Sequence, residues 1–271
     1  MEEFDVIVIG AGSGLIISDA AATAGLKVAV VDKGPMGGTC LNRGCIPSKM
    51  LIHSGDVAEI ISNAKKFGII VKNHKVNFSA ITARVSRIVD GDAQSIEDAI
   101  KKDKNTKLFR GEAKFIGERT LRVGNREIRG QKIFIAAGTR ELIPPIEGLN
   151  KIKYLTSTEA LRLKKQPKVL TIIGGGYIAA EMAHFYGSLG TKVNIIQRNE
   201  LLVPREDSEI AKKFTEIYSK KFNVILSANA AKVEKKGAKY IVTAATLDGK
   251  KKKIFVSDQL LIATGRIPNS D

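Results

Sequence analysis

The 271-residue sequence contains no tryptophan, two cysteines and three histidines, and only 6% of its residues are aromatic. A single pair of cysteines rules out a framework of several disulfides, and the pair together with His53 would still be an incomplete zinc site. No apolar run approaches the ~20 residues needed to span a bilayer; Val6-Ile7-Val8-Ile9 is typical. The start, Met1-Glu2-Glu3-Phe4-Asp5, lacks the basic segment of a secretion signal. A cytoplasmic location with no membrane partner is therefore expected. A cytosol keeps ordinary thiols reduced, so a lone cysteine pair there points to catalysis rather than to a structural staple. Acidic residues are also few, 28 against 44 Lys and Arg, for a net charge of +16. Such a balance raises nucleic acid as a partner. The lysines, however, are scattered in pairs and short runs such as Lys101-Lys102, Lys220-Lys221 and Lys250 to Lys253, with no interleaved aromatic platform for bases to stack on. They read as solvated surface, and no nucleic-acid partner is expected.

What the chain does have is 44% hydrophobic residues, enough for a core in each of one or two domains. It also has an internal repeat. Asp5-Val6-Ile7-Val8-Ile9-Gly10-Ala11-Gly12 and Lys168-Val169-Leu170-Thr171-Ile172-Ile173-Gly174-Gly175-Gly176 are each an apolar run entering a glycine turn. Each is followed by an alanine-rich helical pattern, a glycine (Gly25, Gly190) and a second apolar run. These are two βαβ units, and in that context a G-x-G-x-x-G motif marks a dinucleotide site, so two dinucleotides are expected. In the first copy Gly10 makes the tight turn, Gly12 lets a pyrophosphate approach the backbone, and Asp32 ends the second strand where a ribose hydroxyl needs an acceptor. Leu15 stands where the third glycine is expected, and Gly14 is the residue able to relieve the helix–strand contact. In the second copy Ala179 takes the third glycine position. After its second strand comes Gln197-Arg198, with no acid to hold a ribose hydroxyl pair; Arg198 suits a 2′-phosphate, which favours NADPH over NADH.

Both cysteines lie in Gly37-Gly38-Thr39-Cys40-Leu41-Asn42-Arg43-Gly44-Cys45-Ile46-Pro47-Ser48-Lys49. On an ideal helix, residues five apart have Cα atoms roughly 8 to 9 Å from each other, beyond the ~7 Å reach of an unstrained disulfide. A bridged segment cannot then be straight helix. Gly44 supplies backbone freedom, and Pro47 suits the first turn of a helix whose positive end would stabilise a Cys45 thiolate. Cysteines serving as small buried hydrophobes, or forming with His53 half of a zinc site, are the alternatives.

The wording of this segment resembles the FAD-dependent pyridine nucleotide disulfide oxidoreductases, dihydrolipoamide dehydrogenase most of all, with mercuric and glutathione reductases as sister options. The resemblance implies an α/β protein of two Rossmann-like dinucleotide-binding domains: an FAD-binding domain over 1–148, an NAD(P)-binding domain over 149–265, and over 266–271 the start of a crossover back to the first. By the same resemblance, Cys40 exchanges with a substrate disulfide while Cys45 lies against the flavin. Lys49 and Glu181 pair near its reactive nitrogen, and Tyr177 gates the nicotinamide pocket. The FAD contacts it implies are Gly10, Gly12, Ser13, Gly14, Asp32, Lys33, Gly38, Thr39 and Lys49, with Ala113 near the adenine and Ala137 and Gly138 at the first crossover. For NAD(P) they are Gly174, Gly176, Tyr177, Ile178, Glu181, Gln197 and Arg198, with Gly265 at the second crossover.

The family's dimerisation domain, its Gly-Asp flavin motif and its His-Glu acid/base dyad are expected to be absent, so that the FAD domain is incomplete; a separate chain could supply that half. None of His53, His74 and His184 is assigned to catalysis. The expected function is electron transfer between NAD(P)H, FAD, Cys40-Cys45 and a small dithiol or disulfide such as a lipoyl group. A diaphorase-like flavoprotein with an idle cysteine pair and an inactive remnant are the competing readings. Between residues 57 and 126 the pattern predicts one long helical stretch and then short strands near Lys107 to Ala113.

Overall fold

A computed structural model describes residues 1–270, and the chain divides into two compact units. The first comprises residues 1–47, 86–140 and the few from Pro268 onward; the second comprises 48–85 and 141–267.

In chain order the elements as far as the second unit's main body are β1 (Glu2–Ile9), α1 (Leu15–Thr23), β2 (Val28–Asp32), α2 (Gly38–Arg43), α3 (Cys45–Asn63), α4 (Phe78–Lys102), β3 (Thr106–Arg110), β4 (Ala113–Gly117), β5 (Thr120–Val123), β6 (Arg126–Ile135) and β7 (Thr139–Glu141). The first unit is built on a six-stranded sheet of order β3-β2-β1-β6-β5-β4. β1 runs parallel to both β2 and β6, β2 is parallel to β3, and β4 and β5 add on antiparallel. β1 and β2 are nearly continuous apolar runs because both of their faces are covered. Side chains alternate across a strand, so Val6 and Val8 join a core with Val28, Val30 and Met36, whereas Ile7 joins Ala29, Val31, Phe109 and Leu121 on the other face.

The second unit continues with α5 (Ser157–Ala160), β8 (Val169–Ile173), α6 (Tyr177–Ser188), β9 (Lys192–Ile196), α7 (Ser208–Lys221), β10 (Asn223–Ile225), β11 (Ala228–Lys236), β12 (Lys239–Thr246), β13 (Lys252–Ser257), β14 (Gln259–Ile262) and β15 (Arg266–Pro268). β10-β9-β8-β14 form a parallel sheet, β11-β12-β13 an antiparallel one, and β7 and β15 a short ribbon. Ile173, Ile196, Tyr240, Val242, Phe255 and Leu260 share the core between the two larger sheets.

Both βαβ units of the repeat are present, as β1-α1-β2 and β8-α6-β9. The single long helical stretch predicted after residue 57 is instead two helices, α3 and α4. Gly68 takes the left-handed conformation (φ +76°) that closes the turn after α3, and the Asn77 carboxamide accepts the Ala80 N–H at 3.0 Å to start α4.

Phe78, Phe185 and Tyr186 cluster with ring centroids 4.9 to 5.9 Å apart, Phe78 stacked on Tyr186 and Phe185 edge-on to it, and Tyr186 is fully buried with its hydroxyl donating to the Ala160 carbonyl at 2.5 Å. Burial pushes the Tyr186 phenol well above its ordinary 10.0. Above pH ~10 this phenol ionises in the unfolded chain but not in the folded one, so stability falls as pH rises, by about 1.4 kcal/mol per pH unit. Tyr186→Phe should remove that alkaline loss while costing about 1–3 kcal/mol at neutral pH, because the Ala160 carbonyl is left unpaired. Urea titrations at pH 8 and pH 11 test this, and equal alkaline losses for the two proteins would exclude it.

Candidate active site

The first glycine turn joins β1 to α1. Gly10 has φ +109°, and a Cβ there would lie 2.1 Å from the Ala136 carbonyl oxygen, so only glycine lets this turn rest on the segment after β6. A Cβ on Gly38 would lie 2.4 Å from the Gly12 Cα; two stretches of bare backbone therefore meet with no side chain between them. Gly14 sits under β1, its Cβ position 2.7 Å from Val8 Cγ1 and 2.9 Å from the Ala136 Cβ. The close helix–strand contact falls on Gly14, and Leu15 packs its side chain beside the Val6/Val8 core instead. Ser13 is exposed on the turn.

The Asp32 carboxylate accepts the Ala11 N–H and the Gly34 N–H, each at 2.6 Å, tying the turn to the end of β2 and keeping further lone pairs for another donor. Beyond it, Lys33 makes an exposed ion pair with Glu112 at 3.5 Å, and Ala113 opens β4. The carbonyls of Ala137 and Gly138 accept from the side chain and backbone of Asn269 at 2.8 and 3.0 Å.

Cys40 and Cys45 are disulfide-bonded with Cα atoms 4.9 Å apart. The helix that cannot span such a pair is broken: α2 ends at Arg43, and α3 begins at Cys45. Gly44 is the break, and a Cβ on it would lie 2.8 Å from the Thr39 carbonyl oxygen and 3.2 Å from the Cys40 Cα. The Asn42 amide donates to the Met36 and Gly38 carbonyls at 2.8 and 2.9 Å, fastening α2 to the preceding Gly37-Gly38 turn. Cys45 occupies the first helical position of α3, where unpaired N–H groups favour a thiolate, and Lys49 follows one turn later.

In the second unit the glycine turn between β8 and α6 repeats the first. Gly174 has φ +115°, and its Cβ position lies 2.1 Å from the Ala263 carbonyl oxygen. Open space faces the Cβ position of Gly176, the N-cap of α6, which makes no side-chain capping bond. Helix-terminal N–H groups beside such an opening fit a pyrophosphate. Tyr177 is 62% exposed, Ile178 is half-buried, and Ala179 is buried against the sheet. Gly265 has φ +123°, and its carbonyl accepts the Leu142 N–H at 2.9 Å.

Gln197 is buried with its carboxamide committed, donating to the Leu201 carbonyl and accepting the Arg198 N–H at 3.0 Å each. Arg198 is left exposed, lining a cleft of about 810 Å³ with Asn199, Glu200, Ser227, Asp248 and Lys251.

Glu181 on α6 is ion-paired with Lys49 Nζ of α3. Two more polar rungs join the same helices: His184 Nε2 lies 2.7 Å from Asp56 Oδ1, and the Ser188 hydroxyl donates to Glu59 at 2.7 Å. Lys221 of α7 also pairs with Glu59. Burial works against the Glu59 charge, but the bonds from Lys221 and Ser188 outweigh it and hold the carboxyl below its ordinary range. Tyr218 is pushed up to about 12 by burial, with Glu59 and Glu181 adding to the effect. Asp56 and Glu59 were not singled out in the sequence, and His184 is assigned no role there. The i, i+3 spacings of Asp56 with Glu59 and of Glu181 with His184 are those of one helix face and were the available signal. Neither His53 nor His74 belongs to this ladder, and among the described residues no cluster of His, Cys, Asp and Glu could hold a metal ion.

Residues 4–271 match the family described as pyridine nucleotide-disulphide oxidoreductase. The chain is 34% identical over 271 residues to a mercuric reductase of Staphylococcus aureus, covering 99% of this chain and 49% of that protein. It is 35% identical over 279 residues to a dihydrolipoyl dehydrogenase of Bacillus subtilis, covering 99% and 58%. Among solved structures, the Cu(II) complex of the HOCl-induced flavoprotein disulfide reductase of Escherichia coli superposes with a TM-score of 0.86 at 31% identity, covering 100% of this chain and 58% of that one. The chain thus spans about half the length of the curated relatives it matches.

Gly44→Ala should strain the break between α2 and α3 by about 1–3 kcal/mol, the usual cost of overpacking, and shift Cys40-Cys45 toward the dithiol. Thiol counting after equilibration in glutathione buffers measures this; a wild-type ratio in the variant would sink the argument.

Proposed function

From the premise that this chain belongs to the pyridine nucleotide-disulphide oxidoreductase family, we propose that it is a flavin-dependent NAD(P)H:disulfide oxidoreductase acting on a small dithiol, disulfide or lipoyl group. The observation that carries the reading is the Cys40-Cys45 bond closed across the Gly44 break. Two glycine turns, each opening a helix at the end of a parallel strand, support a pair of dinucleotides.

In this reading the ligand domains are 1–148 for FAD and 149–265 for NAD(P), with the crossover beginning at 266. The bare backbone at Gly10, Gly12 and Gly38 fits a pyrophosphate, and Asp32 has lone pairs to spare for a ribose hydroxyl. Ser13, Gly14, Lys33, Thr39, Ala113, Ala137 and Gly138 complete that site. Gly174, Gly176, Tyr177, Ile178 and Gly265 serve the nicotinamide nucleotide. When bound, the flavin carries two electrons from the nicotinamide to the cysteine pair.

The remaining steps belong to the chain's own groups. In the reduced pair, the Cys40 thiolate attacks one sulfur of the substrate disulfide, forming a mixed disulfide and releasing the first thiol. The Cys45 thiolate then attacks the Cys40 sulfur, which releases the second thiol and restores the intramolecular bond. The α3 N-terminus stabilises the Cys45 thiolate, and Glu181 holds the Lys49 ammonium one turn away along the same helix. Gln197 is turned inward, so the ribose end of the nucleotide meets Arg198, whose guanidinium favours a 2′-phosphate and hence NADPH.

An anaerobic visible spectrum of the purified chain with FAD, before and after one equivalent of NADPH, tests the reading. A long-wavelength band is expected on reduction and should vanish in Cys45→Ser; failure to bind flavin, or reduction without that band, would overturn it. Arg198→Ala should weaken NADPH binding about tenfold or more and leave NADH nearly unchanged, the difference being one charge-assisted contact to phosphate. Equal losses for the two nucleotides would remove the preference for NADPH.

A further inference from the structure

Arg43 is the last residue of α2, in the Asn-Arg-Gly step between the two cysteines. Its Nε is buried with no hydrogen-bond partner, and among the described residues no acid pairs with its guanidinium. Asn42 locks α2 to the Met36 and Gly38 carbonyls, and Arg43 Nη2 lies 3.5 Å from the Cβ position of Gly34. Asp32 Oδ1 lies 3.4 Å from the same point, so the guanidinium and the carboxylate flank one face of Gly34.

The other cations of this corner are already compensated. Arg110 donates to the Gly34 carbonyl and pairs with Glu97, whose carboxyl is held below its ordinary range by Lys101 and, after a smaller opposing effect of burial, by Arg110. Lys33 pairs with Glu112. The Asp32 carboxylate accepts two backbone N–H groups and, among the described residues, makes no ion pair with Arg43. A half-buried guanidinium with an orphaned donor is costly unless an acceptor arrives.

We infer that Arg43 is a further binding residue for the adenosine-diphosphate half of FAD, its guanidinium donating to ribose or phosphate oxygens next to Asp32. The planar fork of arginine suits such oxygens and is always charged. The inference rests on the proposed FAD reading, and its test separates the two.

Equilibrium titration of the flavin-free chain with FAD, ADP and FMN, in wild type, Arg43→Met and Arg43→Lys, is the experiment, with NADPH titration as the check that each variant is folded. In Arg43→Met, FAD and ADP should bind roughly tenfold or more weakly, the worth of a charge-assisted contact. FMN, which lacks the adenylate, should bind as in wild type. Arg43→Lys should recover part of the loss, since it restores charge without the fork. Unchanged ADP affinity in Arg43→Met overturns the inference while leaving the FAD reading standing, and so does an equal weakening of FMN. If Arg43→Met fails the NADPH check, Arg43→Lys decides: ADP affinity equal to wild type counts against the contact, and a selective loss of ADP over FMN supports it. A wild-type chain that binds neither FAD nor ADP overturns the FAD reading and the inference with it.

Discussion

A side chain on Gly10 or on Gly174 would put its Cβ 2.1 Å from a carbonyl oxygen, that of Ala136 in one unit and of Ala263 in the other. Both carbonyls belong to the residue immediately after a neighbouring parallel strand, β6 or β14. In each unit, then, the first βα turn is pressed against the end of the adjacent strand by backbone alone. Everything proposed about dinucleotides depends on that contact, because it brings the start of a helix, with its unpaired N–H groups, to the carboxyl end of the sheet with no side chain in the way. The two units reach this arrangement independently, with φ values of +109° and +115° that favour glycine strongly.

The cysteine segment obeys a related constraint. A helix cannot hold residues five apart close enough to bond, and the chain resolves this by ending one helix and starting another at Gly44. The break has a chemical consequence, since it turns Cys45 from a mid-helix residue into the first residue of α3, where a thiolate is favoured. Along the same helix, Lys49, Asp56 and Glu59 are joined to Glu181, His184 and Ser188 of α6. The ladder holds α3 and α6 in a defined register, each rung pairing polar groups that face one another across the helix–helix contact. Partly exposed ion pairs of this kind add little stability individually. Their effect is to orient the side chains, the Lys49 ammonium above all.

How far the site was legible in the sequence depends on the range of the interaction concerned. The two βαβ units, the glycines at their turns and the need for a bent cysteine segment all follow from local geometry: the twofold repeat of strands, the 3.6-residue repeat of helices and the short reach of a disulfide. Leu15 in the third glycine position looked like a departure from the fingerprint. Its meaning became clear only from the packing, which places the tight contact at Gly14. The pattern after residue 57 predicts one long helix; Gly68 and Asn77, local stop and start signals, divide it.

The sequence by itself determined that this is an α/β chain with two dinucleotide turns and one redox-capable cysteine pair, since those features are written in short spacings and in residues with special backbone freedom. The tertiary structure alone decided which polar groups are committed and which remain available. Lys49 and Glu181 are 132 positions apart. The Gln197 amide is consumed by its own loop while Arg198 is left exposed, and among the described residues the buried Arg43 Nε has no acceptor whereas nearby Arg110 and Lys33 each pair with an acid. A hydrogen bond goes to whichever group the packing brings within about 3 Å, and for partners distant in sequence only the folded chain sets that distance.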